Sequence, residues 1–210
     1  MIHYTRQVLD NGLTVLCHTD RSTPFVSVNV LYKVGSRNEH PEKTGFAHLF
    51  EHLMFGGSRN VEDYDRHVQA AGGDSNAYTT NDLTNYYITI PAANIETALW
   101  LESDRMAGLN FSQHALDVQR QVVIEEFKQR YLNIPYGDLW LKLRPLAYRE
   151  HPYRWATIGV SPEHIERARL EDVEEFFRRY YAPDNAVIAV SGNIGEACAL
   201  ELVKKWFGDI

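Results

Sequence analysis

Thr44-Gly45-Phe46-Ala47-His48-Leu49-Phe50-Glu51-His52-Leu53-Met54-Phe55 is the stretch on which the reading turns. Its apolar residues at 46, 49, 50, 53 and 54 recur at helical spacing, which predicts a helix with one buried face. Side chains four apart on a helix stand one above the other, so His48 and His52 can share one metal ion. Glu51 lies about 100° round from His52 and can reach past the imidazoles to a water in an open position of that metal. Two imidazoles, a third protein ligand from elsewhere and an open water position form a donor set that suits zinc. A surface helix with two solvated histidines would carry the same spacing. Here apolar residues flank the motif on both sides, so the histidines adjoin burial, where an unpaired imidazole is unfavourable.

The whole chain sets the frame for that helix. Its 210 residues, 44% hydrophobic and 23% charged, suit one soluble domain over 1–210 with a sizeable core. A formal net charge of -7, with no cluster of Lys and Arg to override it, argues against a nucleic-acid partner. Cys17 and Cys198 are too few for a disulfide framework or a cysteine-based zinc site, and they point to a reducing, cytoplasmic setting. The opening Met1-Ile2-His3-Tyr4-Thr5-Arg6 lacks the apolar core of a signal peptide, and no apolar run is long enough to span a membrane.

Upstream, residues 4–9 and 13–18 read as two strands joined by the hairpin signal Asp10-Asn11-Gly12. Val26, Val28, Val30, Tyr32 and Val34 alternate as a third strand with one buried face, and 35–43 is a polar loop leading into the helix. Downstream, a second helix is expected over 61–71, stopped by Gly72-Gly73. Residues 74–80 and 84–90 then form a second hairpin across Asn81-Asp82, closed by Pro91. Helices follow over 92–107, 112–131 (with Ser112 as N-cap) and 136–149. Ser161-Pro162 opens a short helix, and a longer one covers 170–181. A short apolar strand at 187–190 and a helix over 197–207 end the chain. Strands in hairpins and helices in runs make an α+β pattern, a largely antiparallel sheet packed against a layer of helices.

The third ligand is sought on the helix over 112–131. Val123 and Phe127 fall within about 20° of Leu116 on either side, and the three define its buried face. Glu125 points away from that face, whereas Glu126 lies at its rim. A carboxylate at the rim needs a partner. Wheel position alone favours an ordinary salt bridge, but a metal held by His48 and His52 would also supply one.

At this point a family resemblance becomes plain. H-x-x-E-H is the inverzincin signature. The chain resembles the N-terminal catalytic domain of the pitrilysin family, which includes insulin-degrading enzyme and the mitochondrial processing peptidases. The resemblance extends through Gly35-Ser36-Arg37, Glu39, Gly45, Phe55, Gly57 and Gly73. It continues in Asn76-Ala77-Tyr78-Thr79, Asp82, Thr84, Tyr86-Tyr87 and Val122-Val123-Ile124-Glu125-Glu126. Asn185 to Gly192 and Trp206-Phe207-Gly208 resemble the end of the family's domain. The resemblance implies zinc held by His48, His52 and Glu126, with Glu51 as the general base on the attacking water. It implies substrate binding by Asn76, Ala77, Tyr78 and Thr79, pairing with a peptide as an added strand.

Two departures qualify it. Seven residues before the distal ligand many relatives carry a second Glu, and this chain has Gln119, a neutral group that could still hydrogen-bond a zinc ligand. The family also works as two similar halves around a chamber, and only one half is present. The expectation is therefore a zinc metalloendopeptidase domain acting on peptides or unfolded segments, completed by a homologous C-terminal half or a partner subunit. A non-catalytic scaffold subunit is the alternative, against which the four intact motif residues count. A metal-dependent hydrolase of another substrate is a third reading, disfavoured by the strand at 76–79. Tyr131, Tyr136, Trp140, Tyr148, Tyr153 and Trp155 are expected to form core and inter-helix packing rather than a ligand cage, with a docking face for the second half as the alternative, and the remaining histidines are expected to lie at the surface.

Overall fold

The structure is a computed structural model and describes residues 2–210. Six strands, β1 (Thr5–Val8), β2 (Thr14–Thr19), β3 (Phe25–Tyr32), β4 (Asp74–Thr79), β5 (Thr84–Pro91) and β6 (Ala186–Gly192), form one open sheet in the order β1-β2-β6-β3-β5-β4. All pairs are antiparallel except β2 with β6. The alternation of β3 sets the register: Val28 stands opposite Ile88 on one side and Val190 on the other. Val26, Val28, Val30 and Tyr32 are thereby all fully buried on one face. A one-residue slip would turn that whole set outward, so burial fixes the pairing.

Helices cover the apolar face. They are α1 (Phe46–Leu53), α2 (Tyr64–Ala70), α3 (Ile95–Ala107), α4 (Gln113–Phe127), α5 (Leu139–Ala147), α6 (Pro162–Glu166), α7 (Leu170–Tyr180) and α8 (Glu196–Phe207). α3 packs on β3 and β5, α8 on β2, and α1 on β4 and α4. The expected α+β layering is what forms. The helix expected from Val61 begins instead at Tyr64, because Asp63 accepts a hydrogen bond from Arg66 N and so caps it there. The helix expected over 112–131 is capped by Ser112, as its position suggests, but after Phe127 it widens into a π-type turn over Lys128–Leu132.

The aromatic cluster expected to pack between helices does not do so as a group. Trp155 is buried, with its indole N–H on the Ser36 carbonyl, and Tyr131 and Tyr153 are half-buried. Tyr136, Trp140 and Tyr148 are exposed, because no other helix covers the outer side of α5 among the described residues. Of the other histidines, His18 and His164 are half-buried rather than at the surface, His164 with its Nδ1 on the Thr44 hydroxyl at 2.9 Å.

Candidate metal centre

α1 carries three of the expected residues, and its start is held from two directions. Gly45 opens it with φ +91°, and a Cβ there would stand 2.7 Å from the Ile158 carbonyl oxygen, so only glycine fits. Glu39, buried in the preceding loop, accepts from Gly45 N and Ala47 N, each at 2.9 Å. Two of the four unpartnered N–H groups of the first turn are thereby satisfied by one carboxylate. On its inner side Phe50 packs 4.9 Å from Phe176 and 5.1 Å from Tyr181, ring centre to ring centre.

His48 and His52 therefore project together from the opposite side, their rings 4.8 Å apart and nearly perpendicular. α4 lies alongside α1 and brings Glu126 to them. Its Oε2 is 3.3 Å from His52 Nε2 and 3.6 Å from His48 Nε2, and the three ligand atoms all lie within 4.8 Å of one another. Metal bonds of about 2.0–2.1 Å at tetrahedral angles would separate ligand atoms by about 3.3–3.4 Å. The donor set and its spacing fit zinc. Glu125, one residue earlier, faces outward and pairs with Lys128 at 2.6 Å. The helix-wheel distinction between the two glutamates is thus present in three dimensions.

The electrostatics favour a ligand set ready for a cation. Burial pulls the His48 imidazole down to about 4, with the Glu126 carboxylate opposing, so the ring is neutral near pH 7. Contact with His52 holds Glu126 below the usual carboxylate range, and His48 and Arg130 act in the same direction. His48 Nδ1 is buried and has no hydrogen-bond partner among the described residues. Glu126 divides its oxygens: Oε2 faces the histidines and Oε1 accepts from Arg130 Nη2 at 3.1 Å.

Glu51 lies beside this cluster without joining it. Burial pushes its carboxyl above the ordinary value, and a hydrogen bond from the Thr79 hydroxyl to Oε2, at 2.5 Å, opposes that shift. A cleft of about 430 Å³ opens over these groups, bounded on one side by residues 76–79 of β4. β4 is the last strand of the sheet, so its outer edge has no strand partner. Side chains alternate along it, with Asn76 and Tyr78 exposed and Ala77 and Thr79 half-buried. Gln119 does not reach the cluster. Its amide nitrogen lies toward Gly56, and no hydrogen bond joins it to a ligand among the described residues. Arg130 escaped the sequence reading, although its i+4 spacing from Glu126 is a readable signal.

Comparison with known proteins adds the lineage. Residues 14–143 match the family model described as Insulinase (Peptidase family M16), which includes every residue of the cluster. The chain belongs to the M16 peptidase family. Residues 160–210 match a second model of the family, described as the Peptidase M16 inactive domain. The zinc protease PqqE of Helicobacter pylori is 40% identical over 95% of this chain and 45% of its own length. The crystal structure of a protease from Helicobacter pylori superposes with a TM-score of 0.95 at 38% identity, covering 100% of this chain and 51% of that one. The first half of the periplasmic protease PqqL from Escherichia coli has the same fold, with a TM-score of 0.88 at 23% identity over 99% of this M16 chain and 46% of that one. The chain thus spans about half the length of the curated relatives it matches.

Proposed function

We propose that this M16 chain is the metal-binding half of a zinc metalloendopeptidase that hydrolyses peptide bonds in peptides or unfolded segments and is completed by a similar second half. The observation that carries the proposal is the meeting of His48 and His52 with Glu126 Oε2 at 3.3–3.6 Å beside a separate, desolvated Glu51. His48 Nε2, His52 Nε2 and Glu126 Oε2 would hold the ion. When bound, zinc supplies a Lewis acid that polarises the scissile carbonyl and makes water a stronger acid.

The rest is done by the chain. Glu51 takes the proton of the attacking water and passes it to the leaving amine. Its carboxyl, raised by burial, is a better base than a solvated one. The free edge of β4 offers its backbone groups to an extended peptide, which would lie along the cleft with its scissile bond near Glu51. The half-length relation to relatives supports a second half, fused or separate, that closes the cleft. The intact set of four side chains counts against a scaffold subunit without activity. A cytoplasmic setting is part of the same proposal. Cys17 and Cys198 are both free thiols, although PqqL is described as periplasmic, and fractionation of the source cells would decide the compartment.

The test is zinc titration by chelator competition, together with cleavage of a quenched peptide by the chain with and without its second half. The expected result is one zinc per chain and turnover that needs both halves. Zinc binding no tighter than that of a His48→Ala, His52→Ala double variant would overturn the metal assignment, and zinc binding without any turnover by the joined halves would favour the scaffold reading.

A further inference from the structure

We propose that Thr79 is a positioning residue for the base: its hydroxyl fixes one oxygen of Glu51 so that the other is held ready in the cleft. This rests on the peptidase reading above, and it assigns the Thr79 side chain to the reaction rather than to the peptide.

The alternation of β4 turns Thr79 inward, on the same side as Ser75 and Ala77, while Asn76 and Tyr78 face out. Its last residue position and its pairing with Thr84 on β5 hold its backbone, and α1 packs against the same strand. From there the hydroxyl donates to Glu51 Oε2 at 2.5 Å, joining strand to helix. A hydroxyl bonded to a carboxylate in a desolvated site is a charge-assisted hydrogen bond, shorter and stronger than a neutral one. Among the described residues no hydrogen bond reaches Glu51 Oε1, so that oxygen keeps its lone pairs for a proton.

The physical need is clear from the side chain itself. Glutamate turns about three bonds, and an unheld carboxylate beside two imidazoles would swing toward them and become a fourth ligand. That would block the position that a catalytic metal must keep open. A bond from the strand opposes the swing. It also ties the base to the edge along which a peptide would be drawn, so the distance from base to substrate is set by one strand.

The experiment uses the zinc-loaded enzyme with both halves. Thr79→Val keeps the shape and removes the hydroxyl, whereas Thr79→Ser keeps the hydroxyl. Losing one hydrogen bond to a charged group should lower kcat roughly ten- to a hundredfold in Thr79→Val, with KM unchanged. Ser should restore most of it, and Thr79→Val should cost nothing further in a Glu51→Gln background. Thermal unfolding of each variant checks that the fold persists. A rise in KM with kcat kept would make Thr79 a peptide contact and overturn the inference. So would an equal kcat loss with Glu51 present or replaced. Failure of the wild-type enzyme to turn over any peptide sinks the peptidase reading itself, whereas normal wild-type turnover with an unaffected Thr79→Val sinks only this inference.

Discussion

Two polar clusters flank the packed helices, and they are built on opposite logic. In the core, Glu102 and Arg105 of α3 are almost wholly buried and paired with each other. Glu102 Oε2 accepts from Arg105 Nε at 2.9 Å, and Oε1 accepts from the Tyr64 hydroxyl at 2.8 Å. The guanidinium lies 4.4 Å from the ring centre of Tyr86 and 4.6 Å from that of Tyr64, which compensates for an Nη1 without a hydrogen-bond partner. Charge is cancelled within the chain. At the other cluster, Glu126 Oε2 lies 3.3 Å from His52 Nε2 and 3.6 Å from His48 Nε2, and among the described residues the arginine paired with Glu126, Arg130, is on its far oxygen. There an imidazole proton or a metal ion can lie between the three groups. One cluster pairs its charges internally and the other gathers three potential metal ligands, a difference that burial alone does not show.

The largest effect should come from the group that belongs to neither set of ligands. Glu51→Gln keeps shape and hydrogen bonding while removing the proton acceptor. In the two-half enzyme it should lose about 10²–10⁴ in turnover, the usual range for a general base, while zinc stoichiometry and peptide affinity stay near wild type. Loss of zinc together with activity would move Glu51 into the ligand set.

The next two experiments separate the clusters directly. Glu102→Leu leaves Arg105 charged and unpaired in the core, and breaking a buried pair in this way costs about 3–5 kcal/mol of stability. Urea unfolding should register that loss, and zinc affinity per folded molecule should stay unchanged. Glu126→Gln should do the reverse, weakening zinc by at least about tenfold with little change in the unfolding of the metal-free chain. Glu125→Gln, exposed and paired only with Lys128, should stay within about 0.5 kcal/mol of wild type and keep its zinc. If Glu102 variants lost zinc as readily as Glu126 variants, the two clusters would be one network.

How much of this was readable beforehand follows from how local each signal is. The α1 spacing, the Asp10-Asn11-Gly12 turn and the wheel position of Glu126 depend on neighbours in sequence, and each is found where expected. The placement of β6 between β2 and β3, parallel to one and antiparallel to the other, depends on pairings across well over a hundred residues, about which a four-residue apolar run is silent. The inward turn of Thr79 needed the register of β4, which nothing near it in sequence fixes. The exposure of Tyr136 and Trp140 was misread because aromatic content suggests burial only where a second surface exists to bury it against. Gln119 was expected near the ligands from the family resemblance, which gives a position in the chain but not the reach of a different side chain.

Glu39 stands between the two kinds of cluster, and it offers the smallest test. It is a buried carboxylate that forms no salt bridge among the described residues, yet both oxygens are taken by the N–H groups of Gly45 and Ala47. Burial pushes its pKa up to about 8, and those two bonds pull it the other way. With burial dominant, the folded chain holds the proton more tightly than the unfolded one, whose carboxyl titrates near 4.5. The stability this contributes is fully present below that pH and is lost as pH rises through about 8. Glu39→Gln cannot titrate, and its amide turns a fixed N–H toward one of the two backbone donors, at a cost of about 1 kcal/mol. The penalty should therefore be largest near pH 5 and turn into a gain before pH 9, because a shift of this size outweighs about 1 kcal/mol, read as the difference between wild-type and variant urea curves of the metal-free protein. Every other titrating group is shared by the two chains, so the difference isolates Glu39. A penalty that grew with pH would mean that the two N–H bonds outweigh desolvation and that Glu39 caps α1 as a permanent anion. The start of α1 would then carry a carboxylate with both oxygens paired, in contrast to the His48, His52 and Glu126 cluster a single turn away.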